Sequence, residues 1–158
     1  MKLISHRGNT DGAQPELENS WDYIWNALND GFDVEVDVWY VDKSIWLGHD
    51  KPQYHIGHPD FMLLLYNHRV WWHAKDYKTL NYMLSHGRQI KVFAHESDRY
   101  GLVNGGYIWT ADTSIRLEPD NRTVWILPNN SLTMDDLDPL LYGICTDDFT
   151  GILKGSSV

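Results

Sequence analysis

The sequence predicts an α/β fold built around a parallel sheet, and three observations support this prediction. Short apolar or alternating runs, rich in β-branched and aromatic residues, recur along the 158 residues. In the first half they alternate with helical patterns, which is typical of a parallel sheet covered by helices. Between Ile90 and Leu127 the gaps are too short for crossover helices, which need about a dozen residues. If the sheet closes into a barrel, several outer helices are therefore missing.

The strand patterns are short and spread over the whole chain. They are Lys2–Ser5, Asp33–Tyr40, Ser44–Gly48, Val70–Lys75, Ile90–His95, Gly106–Thr110, Ser114–Leu117, Thr123–Leu127 and Tyr142–Thr146. Ser44–Gly48 follows a turn at Asp42-Lys43, so we expect it to pair back on the second strand as a hairpin.

The helical patterns are Ser20–Asn29, Tyr77–His86 and Leu132–Leu141. Gly31 and Gly87 are expected to end the first two helices. The third is weaker, with Thr133 as its expected N-cap and Pro139 as a disturbance. Residues 1–158 are predicted to form one domain, with a flexible tail at residues 154–158.

Composition excludes several classes of partner. With 13 basic and 22 acidic residues the net charge is −9, which disfavours nucleic acids and anionic membranes. No segment reaches transmembrane length, so stable membrane insertion is not expected. The single cysteine, Cys145, excludes an internal disulfide and fits a reducing compartment, and a cytoplasmic location is predicted.

The second strand carries paired carboxylates in the stretch Val34–Val38, which reads VEVDV. Alternation places Glu35 and Asp37 on one face and the valines on the other. In a parallel barrel the carboxylates point inward, where they repel each other unless a cation neutralises them. Carboxylate oxygens suit Mg²⁺ or Ca²⁺. The alternative is an exposed hairpin whose acidic side chains only face water.

Two histidines flank this strand in the sequence, one in His6-Arg7-Gly8 and one in His49-Asp50. Both titrate near neutral pH, so one can activate a nucleophile while the other protonates a leaving oxygen in phosphodiester cleavage. Arg7 offers a planar group that matches phosphate oxygens. Taken singly, each histidine is better read as a surface or packing residue, and it is the ordered set of residues that favours the catalytic interpretation.

The ordered set of motifs resembles the glycerophosphodiester phosphodiesterases of the phospholipase-C-like phosphodiesterase superfamily, whose pattern is HRG, PENT, ExDV and HD. The matching residues here are His6-Arg7-Gly8, Pro15, Glu18-Asn19-Ser20, Glu35-x-Asp37-Val38 and His49-Asp50. Thr123–Asn129 and Tyr142–Asp147 are similar to the family's seventh and last strands. The PENT element departs from the pattern, because it reads Pro-Glu-Leu-Glu-Asn-Ser and its loop must carry extra residues.

This resemblance implies a compact (β/α)₈ TIM barrel with several outer helices shortened or missing. It also implies a metal-dependent hydrolase that converts a small glycerophosphodiester to an alcohol and glycerol phosphate, through attack by the substrate's own neighbouring hydroxyl. The implied roles are acid–base catalysis for His6 and His49, phosphate binding for Arg7, metal binding for Glu35 and Asp37, and support of the loop beside His6 for Glu18 and Asn19.

The third strand departs from the family's ExK sequence, because His73 stands where the glutamate belongs. Lys75 keeps its place as an expected phosphate contact. The family implies Mg²⁺ or Ca²⁺, whereas an imidazole ligand shifts the preference towards Mn²⁺, Zn²⁺ or Co²⁺. Alternatively the metal site is broken, and His73 only forms hydrogen bonds.

Two further side chains are candidates for supporting roles. His95, where the family has a serine, could face the barrel mouth or be an ordinary core or rim histidine. Trp125 could line the mouth against the alcohol group of the substrate or simply fill the core. His55 and His58 have metal-like spacing but are expected to be surface residues.

Two function classes follow from these residues. One is the phosphodiesterase; the other is a catalytically inactive phosphate-ligand binding protein on the same fold, motivated by His73 and the missing helices. Retention of both His6 and His49 favours the enzyme. Because a barrel that lacks helices would expose Val34, Val36 and Val38, a homodimer that covers them is also predicted.

Overall fold

The computed structural model describes residues 1–119, 121–127 and 133–154. Asn129, the start of the predicted helix at Leu132, and tail residues 155–158 lie outside these ranges. Within them, no helix is long and apolar enough to cross a membrane.

The described strands form one sheet. They are β1 (Lys2–His6), β2 (Asp33–Val41), β3 (Ser44–Leu47), β4 (Tyr54–Ile56), β5 (Val70–Ala74), β6 (Lys91–Phe93), β7 (Gly101–Val103), β8 (Tyr107–Thr110), β9 (Thr123–Ile126) and β10 (Gly143–Thr146). In the order β6-β5-β2-β1-β10-β9-β8, neighbouring strands pair in parallel. β3 pairs antiparallel with β2 and β4 with β3, while β7 pairs antiparallel with β8. The carboxyl ends of the parallel strands therefore meet at one edge.

The helices lie mainly in the first half of the chain. They are α1 (Trp21–Asn29), α2 (His58–Leu65), α3 (Tyr77–Leu84) and α4 (Thr150–Lys154). The amphipathic patterns that predict α1 and α3 are confirmed. The Asp76 carboxylate caps α3 by accepting a hydrogen bond from the backbone N–H of Thr79, at 2.6 Å.

The prediction of a compact (β/α)₈ barrel is wrong. The sheet curls into a half-barrel, and no strand ladder joins β6 to β7 in the part of the chain that the structure describes. The four helices within the described ranges are too few for eight β/α units. The reason is the length of the connections: residues 94–100 between β6 and β7, and 104–106 between β7 and β8, cannot hold a crossover helix.

Two predicted elements differ from the structure. Ser114–Leu117 is an irregular connection rather than a strand. Within the predicted helix Leu132–Leu141, the described residues form only a short 3₁₀ helix, Met134–Asp136. Thr133 is its N-cap as expected, in a reciprocal capping box with Asp136.

The outward face of β2 is covered, which corrects the expectation that its valines are exposed. Val34, Val36 and Val38 are each 0% exposed, because they pack against the apolar faces of the first three helices. The homodimer stays a prediction, but these valines do not motivate it. The large exposed apolar side chains instead include Leu102 and Ile108 on the β7–β8 hairpin.

The concave face of the sheet holds a second apolar cluster. Its buried members come from six parallel strands and β7: Ile4, Trp71, Phe93, Val103, Trp109, Val124 and Cys145. Side chains from both edges of the sheet meet here, so the sheet must be curled. This apolar cluster fills the interior of the curled sheet. At the carboxyl ends of the strands, the side chains that face inward are mostly polar.

Candidate functional site

A cavity of about 780 Å³ opens at the carboxyl edge of the parallel strands. The sequence-predicted residues that line it are His6, Arg7, Glu35, His49, His73, Lys75 and His95. They come from the ends of β1, β5 and β6, from the interior of β2 and from the loop after β3. Strand pairing explains their proximity, because β1 and β5 flank β2, with His6 opposite Glu35 and His73 opposite Asp37. The carboxylates face inward, and the alternative of an exposed hairpin is excluded.

Asp37 is the most heavily bonded group of the site and is 0% exposed. Its Oδ1 accepts from Lys75 Nζ at 3.1 Å and lies 3.0 Å from His73 Nδ1. Its Oδ2 lies 3.0 Å from Arg7 Nε. Burial alone would raise the pKa of Asp37, but the His73 hydrogen bond and the charges of Lys75 and Arg7 hold it well below its ordinary range. Asp37 is therefore a carboxylate under all ordinary conditions.

Asn19 and Glu18, the predicted supporting residues, hold Asp37 and Arg7 in place. The buried Asn19 donates to Asp37 Oδ2 at 3.0 Å and accepts from the backbone N–H of Asp37 at 2.9 Å. Glu18 Oε2 accepts from Arg7 Nη1 at 3.1 Å. The loop that carries both residues is thus fastened to β2 and to the end of β1, and it fixes the site's main carboxylate and its guanidinium.

His73, which stands where the family pattern has an acid, lies between two carboxylates of β2. Its Nδ1 lies 3.0 Å from Asp37 Oδ1 and 3.6 Å from Glu35 Oε1. Burial would lower the pKa of His73, but the hydrogen bonds and charges of Asp37 and Glu35 raise it to about 9. His95 stacks on its ring at a centroid distance of 5.2 Å. Burial, together with the charges of His73 and Lys75, lowers the pKa of His95.

Glu35, Asp37 and His73 could together hold a metal ion. Each offers a ligand atom, and these atoms all lie within 4.8 Å of one another. Two carboxylates and one imidazole leave coordination positions open for water or substrate, as catalytic metal sites do. The imidazole favours Mn²⁺ or Zn²⁺ over Mg²⁺ or Ca²⁺. The donor set fits a divalent cation, provided that His73 Nδ1 gives up its proton.

The charge on His73 predicts how the stability of metal-free protein depends on pH. A folded-state pKa near 9, against 6.5 unfolded, stabilises the fold fully below pH 6.5, and this contribution disappears as the pH rises through 9. We expect the free energy of unfolding in EDTA to lose up to about 3 kcal/mol from this group across that range. Urea unfolding at several pH values measures the loss, and His73→Gln should flatten the curve. Equal slopes for the two proteins would contradict the assignment.

His6 and His49 each have a carboxylate at Nδ1. His6 Nδ1 lies 2.9 Å from Asp147 Oδ1, and His49 Nδ1 lies 2.7 Å from Asp50 Oδ1. An ionised carboxylate can only accept, so Nδ1 carries the hydrogen and the neutral ring keeps its lone pair at Nε2. Burial would lower the pKa of His6, but the hydrogen bond to Asp147 and the charge of Glu35 raise it. Both rings can take up or release a proton at Nε2.

Sequence reasoning missed Asp147 and Asn9. Asp147 follows β10, and because β10 pairs with β1, its carboxylate lies beside His6. Burial would raise the pKa of Asp147, but the bond and charge of His6 and the amide of Asn9 lower it. A carboxylate directly after the last strand of a parallel sheet was the available signal for Asp147.

Trp125, a predicted site residue, neither lines the cavity nor belongs to the hydrogen-bonded group around Asp37. It packs with Phe32, Leu127 and Ile144 in an apolar cluster on the outer face of the sheet. Its neighbour Ile126 lines the cavity instead, together with Trp109. Of the two readings for Trp125, filling the core is the one observed.

The chain was compared with protein-family models, with curated proteins and with solved structures, and none of them matches it. The geometry of the site therefore carries the functional interpretation.

Proposed function

We propose that the chain is a metal-dependent phosphodiesterase that acts in the cytoplasm on a small glycerophosphodiester, giving an alcohol and glycerol phosphate. The observation that carries the proposal is a cavity that brings together His6 and His49, the cationic side chains of Arg7 and Lys75, and two members of the three-residue metal-ligand group, Glu35 and His73. The order of the HRG, ExDV and HD motifs, which resembles that of the glycerophosphodiester phosphodiesterases, supports the same reaction class.

Arg7 and Lys75 are suited to bind the substrate phosphate. Both line the cavity, and both are held by carboxylates, Arg7 by Glu18 and Asp37 and Lys75 by Asp37. A phosphodiester that enters meets two cations whose side chains are already ordered, so little conformational entropy is lost on binding. The guanidinium matches phosphate oxygens in shape, whereas the ammonium acts as a point charge.

His6 and His49 are suited to move the protons. One Nε2 takes the proton from a neighbouring hydroxyl of the substrate while that oxygen forms a bond to phosphorus. The other Nε2 gives a proton to the alcohol oxygen as its bond to phosphorus breaks. Water then opens the cyclic phosphate, with the two roles exchanged. A divalent cation at Glu35, Asp37 and His73 would stabilise the charge that develops on a non-bridging oxygen.

One observation favours the second candidate, an inactive phosphate-ligand binding protein. Lys75 Nζ and His73 Nδ1 both contact Asp37 Oδ1, so one oxygen of a candidate metal ligand is already paired with two cationic groups. In that state the cavity presents three cationic side chains around the buried carboxylate, an arrangement that can bind phosphate without any metal. Metal-free protein that binds inorganic phosphate but never turns over substrate would support this candidate.

The experiment that tests the enzyme is hydrolysis of glycerophosphocholine in the presence of Mn²⁺, followed by ³¹P NMR. We expect His6→Ala and His49→Ala each to lower kcat by about 10²–10⁴-fold, because each removes a proton-transfer group. His55→Ala is the matched control, since His55 lies exposed on β4, and should leave kcat unchanged. Wild-type activity that survives in both site variants would exclude the proposed roles.

A further inference from the structure

Asn9 is a buried side chain that lies between two carboxylates of the site. It is 0% exposed, and it does not line the cavity. Its Nδ2 donates to Asp147 Oδ1 at 2.7 Å and to Glu18 Oε1 at 2.9 Å. Asn9 therefore cannot be explained by contact with a substrate.

Each of the two carboxylates holds one functional group of the site. Asp147 Oδ1 also lies 2.9 Å from His6 Nδ1, and Glu18 Oε2 accepts from Arg7 Nη1 at 3.1 Å. A continuous chain of hydrogen bonds therefore runs from the imidazole to the guanidinium, and Asn9 is its central member.

The chemistry of this position suits asparagine. A neutral amide has two N–H groups on one nitrogen, so it can satisfy two carboxylates without adding a charge. The backbone N–H of Gln14 donates to Asn9 Oδ1 at 3.0 Å, and this contact fixes which end of the amide faces the carboxylates. Aspartate here would add a third negative charge, and leucine would remove the amide donor that Asp147 and Glu18 share.

A backbone hydrogen bond also holds Asn9 in place. The N–H of Asn9 donates to the carbonyl of His6 at 2.9 Å, across a turn in which Arg7 and Gly8 have φ values of +57° and +97°. The same short turn therefore supplies His6, Arg7 and Asn9. Small displacements of Asn9 would move both functional side chains together.

We propose that Asn9 is a positioning residue that fixes the His6 imidazole relative to the Arg7 guanidinium by bridging Asp147 and Glu18. The functional meaning of this geometry rests on the proposed phosphodiesterase activity, because that reaction needs the proton-transfer group and the phosphate-binding group in one arrangement. The bridge itself is a physical property of the chain and can be measured without any substrate.

The test is NMR of the His6 ring in protein with ¹⁵N-labelled histidine, with His6→Gln used for assignment. Glu18→Gln should shift the Nδ1–H resonance of His6 when Asn9 is present. In the Asn9→Leu background the same change should produce less than half of that shift. Asn9→Ser, which has one donor and is less disruptive to folding, should give an intermediate value. Equal shifts in all three backgrounds would overturn the proposal.

Turnover supplies the second readout. We expect Asn9→Leu to lower kcat for glycerophosphocholine by about 10–100-fold, the usual effect of losing a residue that orients a functional side chain. Asn104→Leu is the control, because it removes a structural amide near β6 and β7 without touching the site, and it should leave kcat unchanged. An unchanged kcat in Asn9→Leu would also overturn the proposal. If wild-type protein shows no turnover, the proposed function fails, and the NMR shifts still decide the role of Asn9.

Discussion

Replacing Asp37 with asparagine is expected to abolish divalent-metal binding and to lower the free energy of unfolding of the metal-free protein by about 3–5 kcal/mol. Asp37 is fully buried and lies within 3.1 Å of groups on Arg7, His73 and Lys75. Asparagine removes the negative charge that these cations share and places an N–H₂ group against donors. The cost is large because three half-buried cations lose the one buried carboxylate that they share, and only Arg7 and His73 keep a second carboxylate, Glu18 and Glu35 respectively.

Urea unfolding in EDTA measures the stability change, and calorimetric titration with Mn²⁺ measures metal binding. The matched control is Asp33→Asn on the same strand, because Asp33 is also buried and pairs with Lys2 at 3.3 Å and with Lys91 at 3.7 Å. This change should destabilise the protein but leave Mn²⁺ binding and turnover intact. Wild-type Mn²⁺ affinity in Asp37→Asn would remove Asp37 from the metal-ligand group.

Replacing Gly8 with alanine is expected to cost about 2–5 kcal/mol of stability and to lower turnover, through the combined effects of backbone strain and a clash. Gly8 has a φ of +97°, and a Cβ added there would lie 2.6 Å from Cδ1 of the Tyr23 ring in α1. The turn must therefore open or the helix must shift. Either change displaces Arg7, the neighbouring residue, from its proposed phosphate-binding position.

Gly31→Ala separates the two effects, because Gly31 has a φ of +95° and no atom within 4 Å of the added Cβ. We expect it to lose only the strain contribution, about 1–2 kcal/mol, with turnover unchanged. Urea midpoints and kcat for the two variants provide the comparison. If both variants lose the same stability and both keep full turnover, close packing of the turn against α1 is not required for the site.

The parts of the fold that the sequence predicted are those with strong local periodicity. Two patterns predicted both the type of element and the direction of its side chains correctly. They are the alternating carboxylates and valines of β2 and the amphipathic pattern of α1. Helix α2 was missed, although Pro59 lies in its first turn, where proline is favoured. Strands β4 and β7 have three residues each, too few to show a period.

Local sequence patterns could not predict whether the sheet closes into a barrel. Whether a curled sheet becomes a barrel depends on pairing between distant edges, here β6 and β7, and no ladder joins them in the described ranges. The resemblance to a barrel family suggested closure, but the chain from residue 94 to 106 is too short to add the outer helices that such a barrel needs.

For the site, most residues of the sequence motifs were found, but two residues were missed: Asn9, which directly follows the HRG motif, and Asp147, which depends on long-range pairing. Alternation alone places Glu35 and Asp37 on one inward face. Asp147 is 141 positions from His6, and the two meet only because β10 pairs with β1. Trp125 was ambiguous because the facing of a short strand depends on its register, which placed Ile126 rather than Trp125 at the cavity.

The central claim, a metal-dependent phosphodiesterase site at Glu35, Asp37 and His73, is tested most directly by adding metal back to stripped protein. Glycerophosphocholine is incubated with EDTA-treated, dialysed protein before and after addition of Mn²⁺, and glycerol phosphate is quantified by ³¹P NMR. We expect no turnover before the addition, turnover after it, and none at either stage for Glu35→Ala. Folded protein that shows no turnover with Mn²⁺, Zn²⁺, Mg²⁺ or Ca²⁺, or equal turnover with and without metal, would contradict the claim.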